Sequence, residues 1–343
     1  MCSNLIGILF SICIQLTMYG GPVVDPFENN VPHRGINLFL SQNDVELSTN
    51  FEWNVQLFLD RAAAAGLNSI SLTWPIYVDG PEGNRVYMRD KESLTSESIE
   101  EFTRIARARG FGVWLNPLVD EKNLMTVSKG SWRGNLSPMS SGQWLMNYMN
   151  IMNYYAQAAE KAGASGIVIG TELWSIEQYQ DEWEIIVTEV RRQFGGKITY
   201  SSNRSIELSK FPWEIVDYVS INYFPNLDLP NSATVKEIQT LIERDVREFT
   251  RSAAELNMPL MIKETGVTSQ KNSLRVTGKW NHGTAPDHET QRRFYEAICR
   301  VWSDHTVGIY WWNTVLHPIP EDQIENDKYF NPFGKPAEQH LGC

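Results

Sequence analysis

Two glutamates, each ending a short apolar segment, are the residues of this chain whose types and positions could do chemistry together. Glu172 ends the segment that starts at Gly166, and Glu264 ends the one that starts at Pro259. Short apolar runs are typical of strands buried on both faces, and the carboxyl ends of parallel strands meet at one mouth of an α/β fold. A pair of carboxyl groups there could supply the acid and the nucleophile or base that cleave a glycosidic bond.

The elements that must position this pair alternate along the chain, which predicts parallel βα units. The predicted strands are Arg34–Leu40, Ser69–Pro75, Gly112–Asp120, Gly166–Leu173, Lys197–Asn203, Asp217–Pro225, Pro259–Val267 and Thr306–Asn313. The predicted helices are Asn54–Ala65, Ser96–Arg109, Gln143–Ala162, Gln178–Phe194, Val235–Asn257 and Asp287–Ser303, with a poorly formed one at 205–213 and a short one at 334–343. No repeat or linker divides them. We therefore predict one α/β domain, a (β/α)8 TIM barrel over residues 34–343.

Composition narrows the classes of function. The chain is 42% hydrophobic and 21% charged, so its 343 residues can bury a large core. A net charge of −11 without Lys or Arg clusters argues against nucleic acid as a partner. Aromatic residues make up 11%; they could stack on sugars, or simply fill the core. There is no His-x-His or His-Glu-x-x-His motif, no Gly-rich phosphate loop and no Gly-x-Ser-x-Gly elbow, so we expect no metal and no cofactor.

The N-terminus carries an apolar stretch at residues 5–16 that is too short to span a membrane. It suits a secretory signal peptide over residues 1–21, followed by an extension over 22–33, although the first residues lack Lys and Arg. The alternative is a segment packed against the barrel. Secretion would leave Cys299 and Cys343, either as a disulfide or as two free thiols. We expect a secreted monomer with no membrane partner.

The strand-end motifs resemble those of clan A of the retaining barrel glycosidases. Within that clan, the motifs Ile169-Gly-Thr-Glu-Leu173, Lys263-Glu264-Thr-Gly266 and Tyr310-Trp-Trp-Asn313 look like glycoside hydrolase family 113, whose known members are β-mannanases. The resemblance covers residues 34–338. It implies that Glu172 is the general acid/base, with a pKa raised by burial or a nearby negative charge. It also implies that Glu264 is the nucleophile, kept ionised by accepting hydrogen bonds.

The same resemblance suggests residues that contact the sugar. Many clan members place Asn before the acid/base to bind the sugar's 2-hydroxyl, and Thr171 stands there in this chain. Tyr223 is our candidate donor to the nucleophile, with Asn222 as the neighbour facing the other way. Of the two adjacent tryptophans, we favour Trp312 as the floor under the sugar, since strand alternation lets only one of them face the mouth.

Other strand ends and loops add candidates. Asn116 and Trp74 end the third and second predicted strands, and we expect both to face the cleft; core packing is the alternative for Trp74, as for Tyr223. Trp132, Arg133 and Trp280 lie on two long loops that follow the third and seventh strands, where they could line outer subsites.

These observations together predict a retaining glycosidase that acts on a β-linked polysaccharide or oligosaccharide, with β-1,4-mannan or glucomannan as the leading substrate. Cleavage within the chain is favoured. The alternatives are another β-glycan, cleavage from a chain end, and a non-catalytic sugar-binding barrel. The last would be compatible with Thr171 but not easily with two retained glutamates.

Overall fold

The computed structural model describes residues 31–343, so the predicted signal peptide and most of the predicted extension lie outside the described residues. Eight parallel strands pair in chain order, and the last pairs with the first, which closes a barrel. We number these barrel strands β1 His33–Phe39, β2 Ser69–Val78, β3 Gly112–Val119, β4 Gly166–Thr171, β5 Lys197–Ser202, β6 Tyr218–Tyr223, β7 Leu260–Thr265 and β8 Gly308–Val315. The predicted α/β class and TIM-barrel architecture are confirmed. A two-residue strand, Val86–Tyr87, pairs antiparallel with the end of β2.

Helices surround the barrel. They are α1 Gln42–Glu46, α2 Phe51–Ala64, α3 Ser96–Ala108, α4 Glu121–Val127, α5 Ser141–Ala162, α6 Gln180–Gln193, α7 Val235–Glu255, α8 His288–Trp302 and α9 Glu321–Ile324. Side-chain caps define several starts: Thr95 accepts from the third residue of α3, and Thr234 forms a capping box with Glu237 on α7. Where the sequence predicts a poorly formed helix, the chain makes two 3-10 turns, Ile206–Leu208 and Trp213–Ile215. Within residues 31–343 no helix has the length and apolarity of a membrane span.

Large side chains fill the lower barrel. Trp114 and Tyr310 point inward with Val168 and Met261 and form a small buried cluster. The ring of Trp114 occupies the space where a Cβ at Gly166 would lie, so glycine is required at the start of β4. Because the barrel is packed in this way, ligands can enter only at its mouth.

Register shifts interrupt the regular pairing near the mouth. On β4 the partners change from Val168–Thr199 to Thr171–Ser201, which inserts one extra residue. On β7 the pair Ile221–Ile262 is followed by Asn222–Glu264, so Lys263 is the extra residue there. Such bulges re-aim side chains and are frequent beside active sites. Both predicted catalytic glutamates follow one of these shifts.

The C-terminal segment is fixed to the last long helix. Cys299 on α8 and Cys343 form a disulfide with a Cα–Cα distance of 5.6 Å, and the disulfide alternative for these thiols is therefore correct. Trp311 on the outer face of β8 donates a hydrogen bond to the carbonyl of Leu341, at 3.2 Å. The chain end thus closes over the side of the barrel at α8 and β8.

The disulfide closes a loop of 44 residues, and its removal should lower the free energy of unfolding by about 2–4 kcal/mol, because the unfolded chain gains freedom. We expect Cys343→Ser to melt at a lower temperature than the wild type in the absence of reductant. Cys299→Ser is the matched control and should show a similar loss. Identical melting curves for the wild type with and without reductant would contradict a stabilising cross-link.

Candidate active site

Glu172 lies directly after β4, at the mouth of the barrel. Its φ of 57° is in the left-handed region, which costs a non-glycine residue about 1–2 kcal/mol. The backbone is held there because the N–H of Glu172 donates to the carbonyl of Ser201, at 2.8 Å. A strained backbone that neighbouring contacts enforce is a frequent feature of active sites.

Both carboxyl oxygens of Glu172 accept hydrogen bonds. Arg133 donates from Nη1 to Oε2 at 2.8 Å, and Asn222 donates from Nδ2 to Oε1 at 3.0 Å. Asn222 is itself oriented by Ser201, whose hydroxyl donates to its Oδ1 at 2.6 Å. Donors on both oxygens fix the plane of the carboxylate and stabilise its charged form.

Arg133 reaches this position from the loop that follows β3. Its Nε donates to the carbonyl of Val119 at 2.9 Å, and Nη2 lies 3.6 Å from Oε1 of Glu121. Only 8% of the residue is exposed. The next residue must be glycine, because a Cβ at Gly134 would overlap the ring of Trp174. This close approach allows the loop to lie low enough for the guanidinium to enter the mouth.

Glu264 occupies a different environment. It is 3% exposed, and no group within residues 31–343 hydrogen-bonds its buried Oε1. Burial, followed by the negative charge of Glu172, raises the pKa of Glu264 well above its usual range, while Arg133 and Lys263 oppose that shift. The expectation that Glu264 is held ionised by hydrogen bonds is therefore wrong for the free protein. The carboxyl group that accepts hydrogen bonds from neighbouring side chains is Glu172.

A buried lysine lies beneath Glu264. Lys263 donates to the hydroxyl of Ser71 at 3.1 Å, and its Nζ lies 3.7 Å from the ring centroid of Tyr310. Burial lowers the pKa of Lys263 well below its usual value, while the charge of Glu264 works in the opposite direction. The β7 bulge therefore turns two consecutive side chains inward, a lysine below and a glutamate above.

A hydrogen-bonded row of polar side chains crosses the barrel at the ends of β1 to β4. Thr171 donates to Oδ1 of Asn116 at 3.1 Å, and Asn116 donates to Thr73 at 3.3 Å. Thr73 donates in turn to Asn37, at 3.4 Å. Asn116 and Thr171 are 1% and 3% exposed, so in the free protein they lie within the barrel and bind each other.

Trp312 lies at the mouth, as expected, while Trp311 packs into the outer core. A cleft of about 620 Å³ opens between Trp312 and Arg133. Its apolar wall includes Trp280, which is 48% exposed and meets Trp312 edge to face at 6.4 Å. Phe330 completes the wall, and its ring centroid lies 4.9 Å from that of Trp280. Exposed aromatic faces beside buried carboxyl groups suit a sugar, which offers C–H groups and hydroxyls together.

Two predicted contacts fail because their side chains face outward. Trp74 is fully buried and packs against Tyr155 of α5, with ring centroids 4.8 Å apart. Tyr223 donates to Oδ2 of Asp245 on α7 at 3.0 Å, and its ring packs on Trp302. Strand alternation explains both corrections, because Thr73 and Asn222 next to them point into the barrel. Of the two β6 neighbours, Asn222 therefore serves the site and Tyr223 the core.

Sequence reasoning placed Arg133 among outer subsites and missed its contact with Glu172. The available signal was a single arginine followed by glycine on a long loop at the mouth, at Trp132-Arg-Gly134. Such a pattern does not reveal how low the loop lies. Among residues 31–343 no cluster of His, Cys, Asp and Glu side chains could hold a metal ion.

A closed parallel barrel with a glutamate at the ends of β4 and β7, beside an aromatic cleft, defines a (β/α)8 glycoside hydrolase. The sequence model of Glycoside Hydrolase Family 113 matches residues 53–335, and the chain belongs to that family. No curated protein matches the chain significantly.

Solved structures share the fold. The GH113 β-mannanase AaManA from Alicyclobacillus acidocaldarius, in complex with ManMIm, is 22% identical with a TM-score of 0.74, over 91% of this chain and 96% of that chain. The complex structure of a GH113 β-1,4-mannanase is 18% identical with a TM-score of 0.76, over 91% of this chain and 97% of that chain. A β-glucuronidase from an uncultured Clostridium sp. is 15% identical with a TM-score of 0.59, over 91% of this chain and 50% of that chain.

The different environments of the two glutamates predict opposite effects on stability. Because the folded-state pKa of Glu264 is raised, its ionisation costs stability progressively as pH rises from about 4, the ordinary glutamate value, through the raised value. Glu264→Gln removes that cost, so we expect its melting temperature at pH 7 to exceed that of the wild type by about 2–4 °C. Glu172→Gln breaks the ion pair with Arg133 and should melt lower. Melting curves at pH 5 and 8 measure both; a Glu264→Gln variant that is less stable at pH 8 would refute this account.

The outward position of Tyr223 predicts a stability effect without a catalytic one. Tyr223→Phe loses the hydrogen bond to Asp245, which contributes about 1 kcal/mol. We expect a slightly lower melting temperature and unchanged kcat. A large fall in kcat with normal stability would return Tyr223 to the active site.

Proposed function

We propose that this protein is a retaining β-mannanase that cleaves β-1,4-mannan or glucomannan within the chain. The observation that carries this proposal is the buried pair Glu172 and Glu264, close enough for the charge of one to raise the pKa of the other, beside an aromatic cleft in a family 113 barrel. Like charges in a buried pair disfavour double ionisation, which favours a state in which the two carboxyl groups share one proton. A retaining reaction needs one protonated and one ionised carboxyl group at its start.

In the first step Glu264 attacks the anomeric carbon while Glu172 gives its proton to the leaving oxygen. In the second step Glu172 removes a proton from water, and the resulting hydroxide displaces Glu264 from the sugar. Arg133 and Asn222 hold the Glu172 carboxyl plane in place, and Trp312 forms the wall beside which the sugar lies. Rigid placement of the reacting groups is a large part of the catalytic effect in such sites.

The choice of mannan is supported by the family and by the solved β-1,4-mannanases that share the fold. Cleavage within the chain, rather than from an end, is part of the proposal. Oligosaccharide products of several lengths at early times would support it, and a single small product from the start would point to an end-acting enzyme.

We expect the wild type to release reducing sugar from β-mannan and glucomannan when assayed beside xylan, cellulose and β-1,3-glucan. Glu264→Ala should lower kcat on the order of 10³-fold or more, since loss of a nucleophile removes the covalent route. Its melting curve must show that the variant is folded. Release of reducing sugar from another glycan alone would support the proposed reaction but contradict mannan as the substrate. Binding without release from any glycan would favour a sugar-binding barrel.

We also propose that the protein is secreted. The disulfide between Cys299 and Cys343 supports this, because such bonds persist in oxidising compartments. Expression of the full chain in a secreting host should yield protein in the medium that lacks residues 1–21, as measured by intact mass. Retention in the cytosol with the N-terminus uncleaved would contradict the proposal.

A further inference from the structure

Arg133 is the one guanidinium that contacts Glu172 among the described residues, and it is shared. It donates to Glu172 at 2.8 Å and lies 3.6 Å from a carboxyl oxygen of Glu121. Glu121 is the first residue of α4, and its side chain is 34% exposed against 10% for Glu172. A small rotation of the guanidinium could therefore exchange a buried partner for a more exposed one.

The charged groups around Arg133 come from every neighbouring element. Glu121 acts on it from the start of α4, Glu172 from the end of β4 and Glu264 from β7. Asp120, the cap of α4, acts on Glu121. Lys263 adds a positive group beneath Glu264, where burial lowers its pKa. Among the described residues, Arg133 thus stands among three carboxyl groups, and its position decides which of them has a counter-charge.

In the free protein that arrangement opposes the first step of the reaction. Glu172, which must donate a proton, accepts hydrogen bonds from Arg133 and Asn222. Glu264, which must attack as an anion, is buried with an oxygen that has no hydrogen-bond partner among residues 31–343. The proton of the pair is therefore stabilised on Glu264, the wrong member of the pair.

The cleft connects this arrangement to the substrate. Arg133 and Glu121 both line it, so a sugar that occupied the cleft would meet the guanidinium and its second partner. Glu172 and Glu264 do not line this cleft and lie deeper in the barrel mouth.

We propose that Arg133 is a positioning residue that decides which glutamate carries the shared proton: paired with Glu172 it leaves the proton on Glu264, and turned toward Glu121 by a bound sugar it lets the proton pass to Glu172. The transfer breaks the O–H bond of Glu264 and forms one on Glu172, so the pair keeps one proton and one negative charge. It leaves Glu264 ionised for attack and Glu172 protonated for the leaving oxygen. The role of Arg133 in turnover rests on the proposed function. Its effect on how the proton is shared between Glu172 and Glu264 does not.

The test that needs no turnover is a pH titration of the carboxyl carbons by NMR, with ¹³C-labelled glutamate. Glu172→Gln and Glu264→Gln assign the two signals. In the wild type, Glu172 should titrate below Glu264. In Arg133→Met the midpoint of Glu172 should rise by about one pH unit or more, the size of effect expected for loss of an adjacent opposite charge. Arg133→Lys should restore part of the difference.

Glu121→Gln provides a second variant with the opposite sign. Without Glu121, Arg133 pairs with Glu172 alone, and the Glu172 midpoint should fall below that of the wild type. This variant keeps the arginine, so it tests the proposal even if Arg133→Met does not fold. Arg61→Met is the matched control, because Arg61 pairs with Glu338 far from the mouth and its loss should move neither midpoint. An unchanged Glu172 midpoint in both Arg133→Met and Glu121→Gln would overturn the proposal.

Kinetics on mannan then test the exchange itself. Glu121→Gln should lower kcat about tenfold or more with little change in KM, since general acid catalysis contributes about 10²–10⁴-fold. Wild-type kcat in this variant would overturn the movement toward Glu121 while leaving the titration result in force. A wild-type protein that hydrolyses no glycan would contradict the proposed function. The titration midpoints of Glu172 and Glu264 measured by NMR would still decide the role of Arg133.

Discussion

Two carboxyl groups buried together at the barrel mouth, with one guanidinium between them and the loop acids, form the constraint on which this structure depends. Burial and the negative charge of Glu172 both raise the pKa of Glu264, so they disfavour its ionised form. Only Glu172 has hydrogen-bond donors on both oxygens. The site therefore distinguishes two chemically identical side chains: Glu172 accepts hydrogen bonds on both oxygens, whereas the raised pKa of Glu264 favours its protonated form. The free protein thus holds the pair in the order opposite to the one that the proposed acid and nucleophile roles require.

Several otherwise unfavourable features serve this arrangement. The left-handed backbone at Glu172 and the bulges in β4 and β7 turn the two carboxyl groups into the mouth. Gly134 allows the loop after β3 to descend until Arg133 reaches Glu172. Each feature weakens local regularity, and each is held in place by the closed barrel below. Strain and buried charge at the mouth are compensated by the packed core, the usual relation between activity and stability.

Much of this could be predicted from the sequence. Apolar runs predict all eight barrel strands, and two of these runs stop at Glu172 and Glu264, because apolar runs and strand ends are local signals. The side-chain directions of Trp74 and Tyr223 were wrong although Ser69, Ser71 and Thr73 alternate along β2, a phase that places Trp74 on the outer face. What could not be predicted is the depth of Arg133. That depth depends on the course of a long loop against the ring of Trp174, a tertiary contact without a local pattern.

The central claim is that Glu264 forms a covalent bond to the sugar, while Glu172 acts as the general acid and then the general base. The most direct measurement is mass spectrometry of the protein after incubation with a 2-deoxy-2-fluoro β-mannosyl fluoride, followed by sequencing of the labelled peptide. The fluorine slows release of the intermediate, so we expect one sugar attached to Glu264 and no label in Glu264→Gln. A label on Glu172, or no label under conditions where mannan is hydrolysed, would contradict the account.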